Sequence, residues 1–225
     1  MPSTSERAED PRPARTRAAI FAAARALTVS DGEVTVNALA KRAGVSRAAF
    51  YSHFSGLDDL MGAMLTQMFD HAHERSTACA RDGRTVQERV RFGFGMLVAY
   101  VERHHTFLRG ALDWKFSRRT YLVLVDTMTE LHAEATDRLG DAVPEHLRTE
   151  DARRAIVGGS LALCEHWLVT TEQAAADGGV PDATGLLDSI LAIAPSWYTG
   201  LEPGAPTGAA ELLEICRQVT ADEES

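Results

Sequence analysis

Apolar side chains recur three and four residues apart along nearly the whole chain, a spacing that suits helices and little else. It runs through Ile20, Ala24 and Leu27, then Val36, Leu39, Ala40 and Ala43, then Leu57, Leu60, Met61, Met64, Leu65 and Met68. Strand-like alternation is scarce, so an all-α chain is expected. The breaks in the pattern divide it. A disordered leader reaches about Pro13, and "SDG" at 30–32 stops the first helix. Thr35 and Ser46 are placed to cap the second and third helices. Gly44 separates them, since glycine takes the left-handed conformation at little cost. Ser55 to Asp58 resembles a capping box for a fourth, bridging helix, where Asp58 and Asp59 suit the positive end.

Further helices are expected at roughly 86–103, 105–114, 118–139 and 150–172, and from near Ala183 to Pro195, whose ring stops helix propagation. "GLEPGAPTG" at 200–208 reads as a flexible connector to a short terminal helix around 212–219. The expected division is a leader at 1–13, a small domain at 14–56, a large one at 57–202 and a terminal segment at 203–225.

With 225 residues, 45% of them hydrophobic and 24% charged, the chain has the composition of a globular protein. No run approaches the ~20 apolar residues of a membrane span. No secretion signal is visible at the start, so a cytoplasmic location away from the membrane is expected. Cys79, Cys164 and Cys216 stand far apart with no CxxC pair, which suggests neither disulfides nor a zinc knuckle. The net charge of −9 is unevenly spread. Residues 1–60 hold eight Lys or Arg against seven Asp or Glu, and the remainder carries the acidic excess. Charge therefore leaves nucleic-acid binding open for the first domain.

That domain contains "AKRAGVSRAAFYSHF", Ala40 to Phe54: two short helical patterns joined at one glycine, with Ser, Arg, Tyr and His crowded on the second. Helices joined this way cross, and the second projects its start toward the DNA major groove. Arg47 reaches phosphate or a guanine edge, Ser46 and the free amides bind phosphate, and Tyr51 and His53 donate to the backbone. Ala48 and Ala49 keep the surface low enough to touch thymine methyls. His53 has a second reading, as a cap or packing residue.

The run "TVNALAKRAGVSRAAFYSHFSGLDDLMGAML", 35–65, resembles the tetracycline-repressor family of transcriptional regulators in unbroken register, and "RTRAAIFAAARALTVSDG", 15–32, resembles that family's first helix. The resemblance covers about the first 65 residues. It implies an N-terminal three-helix helix-turn-helix domain, a C-terminal helical domain for effector binding and dimerisation, double-stranded operator DNA as partner, and a homodimer. It also implies a repressor released by a small apolar or amphipathic effector, with no cofactor and no enzymatic activity. An activator or a ligand-independent regulator would share the same DNA domain, and a helical binding protein or enzyme could retain it as scaffold. Ser55 and Leu57 stand where many members carry lysines, and Asn37 where a charge is common. Phosphate anchoring then falls to Arg15 and Arg17. The DNA-facing set is Arg15, Arg17, Thr35, Lys41, Ser46, Arg47, Ala48, Ala49, Tyr51 and His53.

In the large domain Phe92, Met96, Tyr100, Phe107, Trp114, Tyr121, Met128 and Trp167 lie at helical spacing, with two readings: ordinary core, or the lining of an effector pocket in which His104, His105 and Cys164 are polar handles. For dimerisation, Ala152, Ile156, Gly159, Leu163, His166 and Thr170 repeat in threes and fours, beside Gly158 and Ala162. A second stripe joins Leu187, Ile190, Leu191, Ala194, Trp197 and Tyr198. Paired across two chains, these would make a four-helix bundle; burial within one chain is the other reading. His71 and His73 are two apart and point to different helix faces, so no metal site is expected. No phosphate loop, dinucleotide fingerprint or nucleophile elbow occurs, "GGSLA" at 158–162 included.

Overall fold

In a computed structural model the structure describes residues 12–28, 34–79, 83–115, 118–171 and 181–221. These form helices and turns with no strand among the described residues. Helix α1 spans Arg12–Thr28, so Pro13 stands in the first turn, where its missing N–H costs nothing. The leader to residue 11 and the "SDG" stop lie outside the described residues.

Helix α2 spans Val36–Ala43, and α3 spans Arg47–His53. Thr35 Oγ1 accepts from Ala38 N at 3.1 Å and Ser46 Oγ accepts from Ala49 N at 3.0 Å, each satisfying an otherwise orphaned amide. Gly44 sits at φ 67°, and Val45 N returns to Ala40 O at 3.0 Å, the hydrogen-bond pattern of a glycine-terminated helix. Ile20, Ala24, Leu39, Phe50 and Phe54 bury themselves where the three helices meet. Phe54 lies 5.8 Å from Phe21 and 5.7 Å from Phe50, centroid to centroid.

Helix α4, Leu57–Cys79, leads out of this unit. Its cap differs from the expected box. Asp59 Oδ2, rather than Asp58, accepts from Ser55 N at 2.8 Å and Ser55 Oγ at 3.1 Å, because the helix starts two residues after Ser55 and the carboxylate must reach back four positions.

The body consists of α5 Val86–Arg103, α6 His105–Lys115, α7 Arg118–Leu139, α8 Glu150–Thr170, α9 Thr184–Ile193, α10 Ser196–Thr199 and α11 Ala209–Ala221. Helix α9 ends as expected before Pro195, with Ala194 extended at ψ 141°, the conformation proline imposes on its predecessor. Helix α5 is the axis, buried from Val90 through Glu102 on most faces and packed against α4, α6, α7, α9, α10 and α11. A capping box starts it: Glu88 N donates to Thr85 Oγ1 at 3.2 Å, and Thr85 N donates to Glu88 Oε2 at 2.7 Å.

The terminal segment is not an appendage. Helix α11 is longer than expected, and Leu213 and Cys216 are wholly buried against α5. Gly95 makes this approach possible, since a Cβ there would fall 2.7 Å from Cys216 Sγ and 3.2 Å from Leu212 Cγ. Glu102, itself buried, accepts from Arg217 Nε and Nη2 at 2.7 Å each and from Ala183 N at 2.8 Å. Arg217 Nη2 also reaches Asp182 at 2.8 Å. One carboxylate thus joins α5, the start of α9 and α11. Its hydrogen bonds hold the Arg217 guanidinium protonated well above its ordinary value.

Candidate nucleic-acid interface and effector cavity

The caps of α2 and α3 fix the angle between them and leave the start of α3 bare. Ser46, Arg47 and Ala48 are exposed there, Ala49 is half-buried, and Lys41 is exposed on α2. Tyr51 keeps 51% of its surface in solvent even though its ring packs edge-on against Phe50. Thr35 is half-buried and spends its hydroxyl on the cap. His53 is half-buried against Phe54, ring centroids 6.2 Å apart. Its packing reading and its donor reading are therefore compatible.

Arg15 and Arg17 are both exposed but differ in what they touch. The Arg17 guanidinium lies 5.2 Å over Phe21 and 5.3 Å over Phe54, and the residue lines an open cleft of about 510 Å³ that also contains Asp58, Asp59 and Asp70. Aromatic faces and nearby carboxylates compete with phosphate for this cation.

In the body a second cavity, of about 60 Å³, lies between α4, α5, α6, α7 and α8. Its lining is Leu65, Val101, Leu108, Ala111, Leu112, Tyr121, Leu124, Leu161, Cys164, Glu165 and Leu168. Of the residues expected to line a pocket, Tyr121 and Cys164 do so. Burial pushes the Cys164 thiol up to about 12, so it is a neutral wall group. Phe92, Met96, Tyr100, Phe107, Met128 and Trp167 are buried and are not among the residues lining this cavity. Phe92 sits under Arg84, Tyr100 stacks on half-buried His104 at 6.0 Å, and Trp167 meets His105 edge-on at 5.2 Å. The Nε2 of His105 is 2.9 Å from Thr171 Oγ1. The side chain of Trp114 lies outside those described, as do those of His71, His73 and Cys79. The reason for the difference is rotational: large aromatics occupy the broad faces between helix axes, while the cavity is left where leucines from four helices fail to meet. Leu108, Ala111 and Leu112 on α6 and Leu161, Cys164 and Leu168 on α8 carried a spacing signal, but one shared by every buried helix face.

One helix that walls the cavity touches the first domain directly. A Cβ on Gly110, in α6, would stand 2.6 Å from Thr28 Cγ2 and 2.9 Å from Thr28 O. The last residue of α1 therefore rests on the helix that carries three of the lining residues.

The expected dimer stripes are only partly outward. On α8, Gly159 and His166 are exposed while Ala152, Ile156 and Leu163 are half-buried. On α9, Leu187, Ile190 and Leu191 are buried and Ala194 half-buried, because that stripe packs on α5, α8 and α11. Tyr198 is buried too, hydrogen-bonded to His132 Nδ1. The outward face consists of Ala155, Gly159, Ala162, His166 and Val169 on α8 with Ala192 and Ile193 on α9. Ile193 is 72% exposed and Val169 49%.

Among the described residues no cluster of His, Cys, Asp or Glu is disposed to hold a metal, and no helix is long and apolar enough to cross a membrane. A two-domain helical protein with a capped helix-turn-helix at one end has the architecture of a transcriptional regulator. Residues 20–64 match the family described as bacterial regulatory proteins, tetR family. That match covers the N-terminal helices, and the chain has the fold of that family's regulators. It is similar to Thermus thermophilus FadR, a TetR-family transcriptional repressor solved in complex with lauroyl-CoA, at 20% identity over 84% of this chain and 97% of that one, with a TM-score of 0.64. It is also similar to the fatty acid degradation regulator FadR from Bacillus halodurans, at 18% identity over 82% and 94% of the two chains, with a TM-score of 0.56. No curated protein matches the chain.

Proposed function

We propose that this protein is a homodimeric, ligand-responsive repressor that grips operator DNA through the start of α3 and lets go when a small apolar or amphipathic molecule occupies the body. The observation that carries this reading is the continuity from cavity to recognition helix. Leu108, Ala111 and Leu112 line the cavity on α6, Gly110 of the same helix abuts Thr28, and Ile20 and Phe21 of α1 share a core with Phe50 and Phe54. Two recognition helices bind adjacent major grooves only when about 34 Å apart. A ligand that favours another spacing weakens DNA binding, and DNA weakens the ligand equally, with a coupling of about 1–3 kcal/mol. The likeness to a regulator solved with lauroyl-CoA supports an effector site in the body. The exposed small-residue face around Gly159, where an added Cβ meets nothing within 4 Å, supports close approach of a second copy.

Footprinting on the DNA flanking its own gene tests the reading. Arg47→Ala should weaken binding by about 1–3 kcal/mol and relax preference at one base position. Gly159→Arg should give a monomer by sedimentation and lose the footprint with it. A protein that protects no sequence at low salt, or Gly159→Arg that stays dimeric, would overturn the DNA-binding and the interface parts respectively.

A further inference from the structure

The size of the body cavity limits what can fill it. About 150 Å³ is enough for benzene, six carbons, so about 60 Å³ holds two or three carbons of a chain. On the same scale a twelve-carbon chain needs roughly 300 Å³. Six leucines, Leu65, Leu108, Leu112, Leu124, Leu161 and Leu168, converge on this space from four helices. Elsewhere on two of the walling helices the packing is closed: Met96 and Val98 on α5 and Val157 on α8 expose no surface. Interiors of this density do not stretch by one side chain at a time, so widening the cavity means moving whole helices. The polar groups on the wall ask for no buried charge, since the Cys164 thiol is neutral and Glu165 stands exposed at the rim.

We infer that the effector enters with an apolar tail of about two or three carbons and that the leucine ring sets this limit, excluding long acyl chains. The inference rests on the reading of the body as the effector domain. It gives the site a selectivity that the fold alone does not: a short tail fills the cavity with its polar end left at the rim, whereas a long one must either unpack α6 or remain in water.

Calorimetric titration of the full-length protein with two ladders, n-alkanols and acyl-CoA thioesters of two to twelve carbons, tests it. Each carbon that enters should strengthen binding about fourfold, up to about the third, after which affinity should level or fall. Leu161→Ala, or Leu112→Ala on the opposite wall if the first does not fold, should move that break to longer chains. Ala111→Leu should fill the cavity and flatten the length dependence. A short optimum in either ladder, shifted by the alanine variant, supports the limit. Twelve-carbon members binding the wild type best would overturn the limit while leaving the effector domain standing. Binding of no member of either ladder would overturn the effector-domain reading and this inference with it.

Discussion

The helix-turn-helix unit and the body spend their polar groups in opposite ways. Between Thr35 and Asp59 the capping side chains serve neighbours three or four positions along the chain: Thr35 with Ala38, Ser46 with Ala49, Asp59 with Ser55. Lys41, Arg47 and Tyr51 are exposed. In the body, besides local pairs such as Thr85 with Glu88, other partners come from afar. Glu102 and Arg217 are 115 residues apart, Arg91 donates to Thr199 O, and Arg103 donates to Thr220 O. A unit whose backbone is satisfied locally keeps its surface free for a partner and tolerates changes there. A body closed by distant ties responds as a whole, which is what linkage between a cavity and a distant helix requires.

This contrast can be broken most forcefully at Arg217. Arg217→Ala leaves Glu102 buried without its counter-ion, and loss of one member of such a pair costs about 3–5 kcal/mol, toward the lower end here because Arg217 is partly exposed. Urea unfolding should show this, whereas Arg47→Ala should leave the midpoint unchanged. An equal loss in both variants would erase the distinction between the two regions.

The seam between the regions comes next. Gly110→Ala drives a Cβ to 2.9 Å from the Thr28 carbonyl oxygen, a backbone atom with little room to retreat, and should cost about 1–3 kcal/mol. Gly62→Ala, in α4 with nothing within 4 Å of the new atom, should instead stabilise by up to about 1 kcal/mol through helix propensity. Thermal unfolding of the pair sharpens the comparison, and similar shifts in both would remove the special standing of the α1–α6 contact.

Within the first region, Arg15 and Arg17 are separable. Arg15→Ala should make the slope of log affinity against log salt shallower by about one unit. Arg17→Ala should change it less and should destabilise the fold, because its guanidinium stacks on Phe21 and Phe54. Titration at several salt concentrations decides between this and two equal phosphate anchors. The smallest effect belongs to the cap of α5. Hydrogen bonds from the Thr85 backbone N–H and then its hydroxyl hold the Glu88 carboxyl below its ordinary value of 4.5. That stabilisation is full above about pH 4.5 and is lost as pH falls through the lower folded value. Glu88→Gln should therefore be less stable than wild type near neutrality and converge with it in acid, where the wild-type carboxyl is itself uncharged, as urea midpoints at several pH values would show.

Much of the first region is legible in the sequence because its determinants are neighbours. The caps Thr35 and Ser46, the glycine at 44 and the apolar spacing each act within one helical turn, so reading them requires no knowledge of what lies across the fold. The one slip, Asp58 for Asp59, is a displacement by a single position inside that same turn. The body was legible only as helices. That Leu187, Ile190 and Leu191 face inward while Ala192 and Ile193 face out, or that Phe92 and Met96 are core while Leu108 and Leu161 edge a cavity, depends on the rotation of each helix about its axis. Apolar spacing reports that a stripe is buried and says nothing of what buries it.

The amino-acid sequence by itself determined the helical class, the order and approximate ends of the elements, and the outward polar start of α3, since these follow from backbone hydrogen bonding and periodicity over a few residues. The tertiary structure alone decided the rest. It joined Glu102, Ala183 and Arg217, set Thr28 against Gly110, folded α11 into the core through the gap left by Gly95, and left about 60 Å³ unfilled among leucines of four helices. Each of these is a meeting of segments far apart in the chain. Such meetings arise from close packing of whole surfaces, which no local spacing encodes.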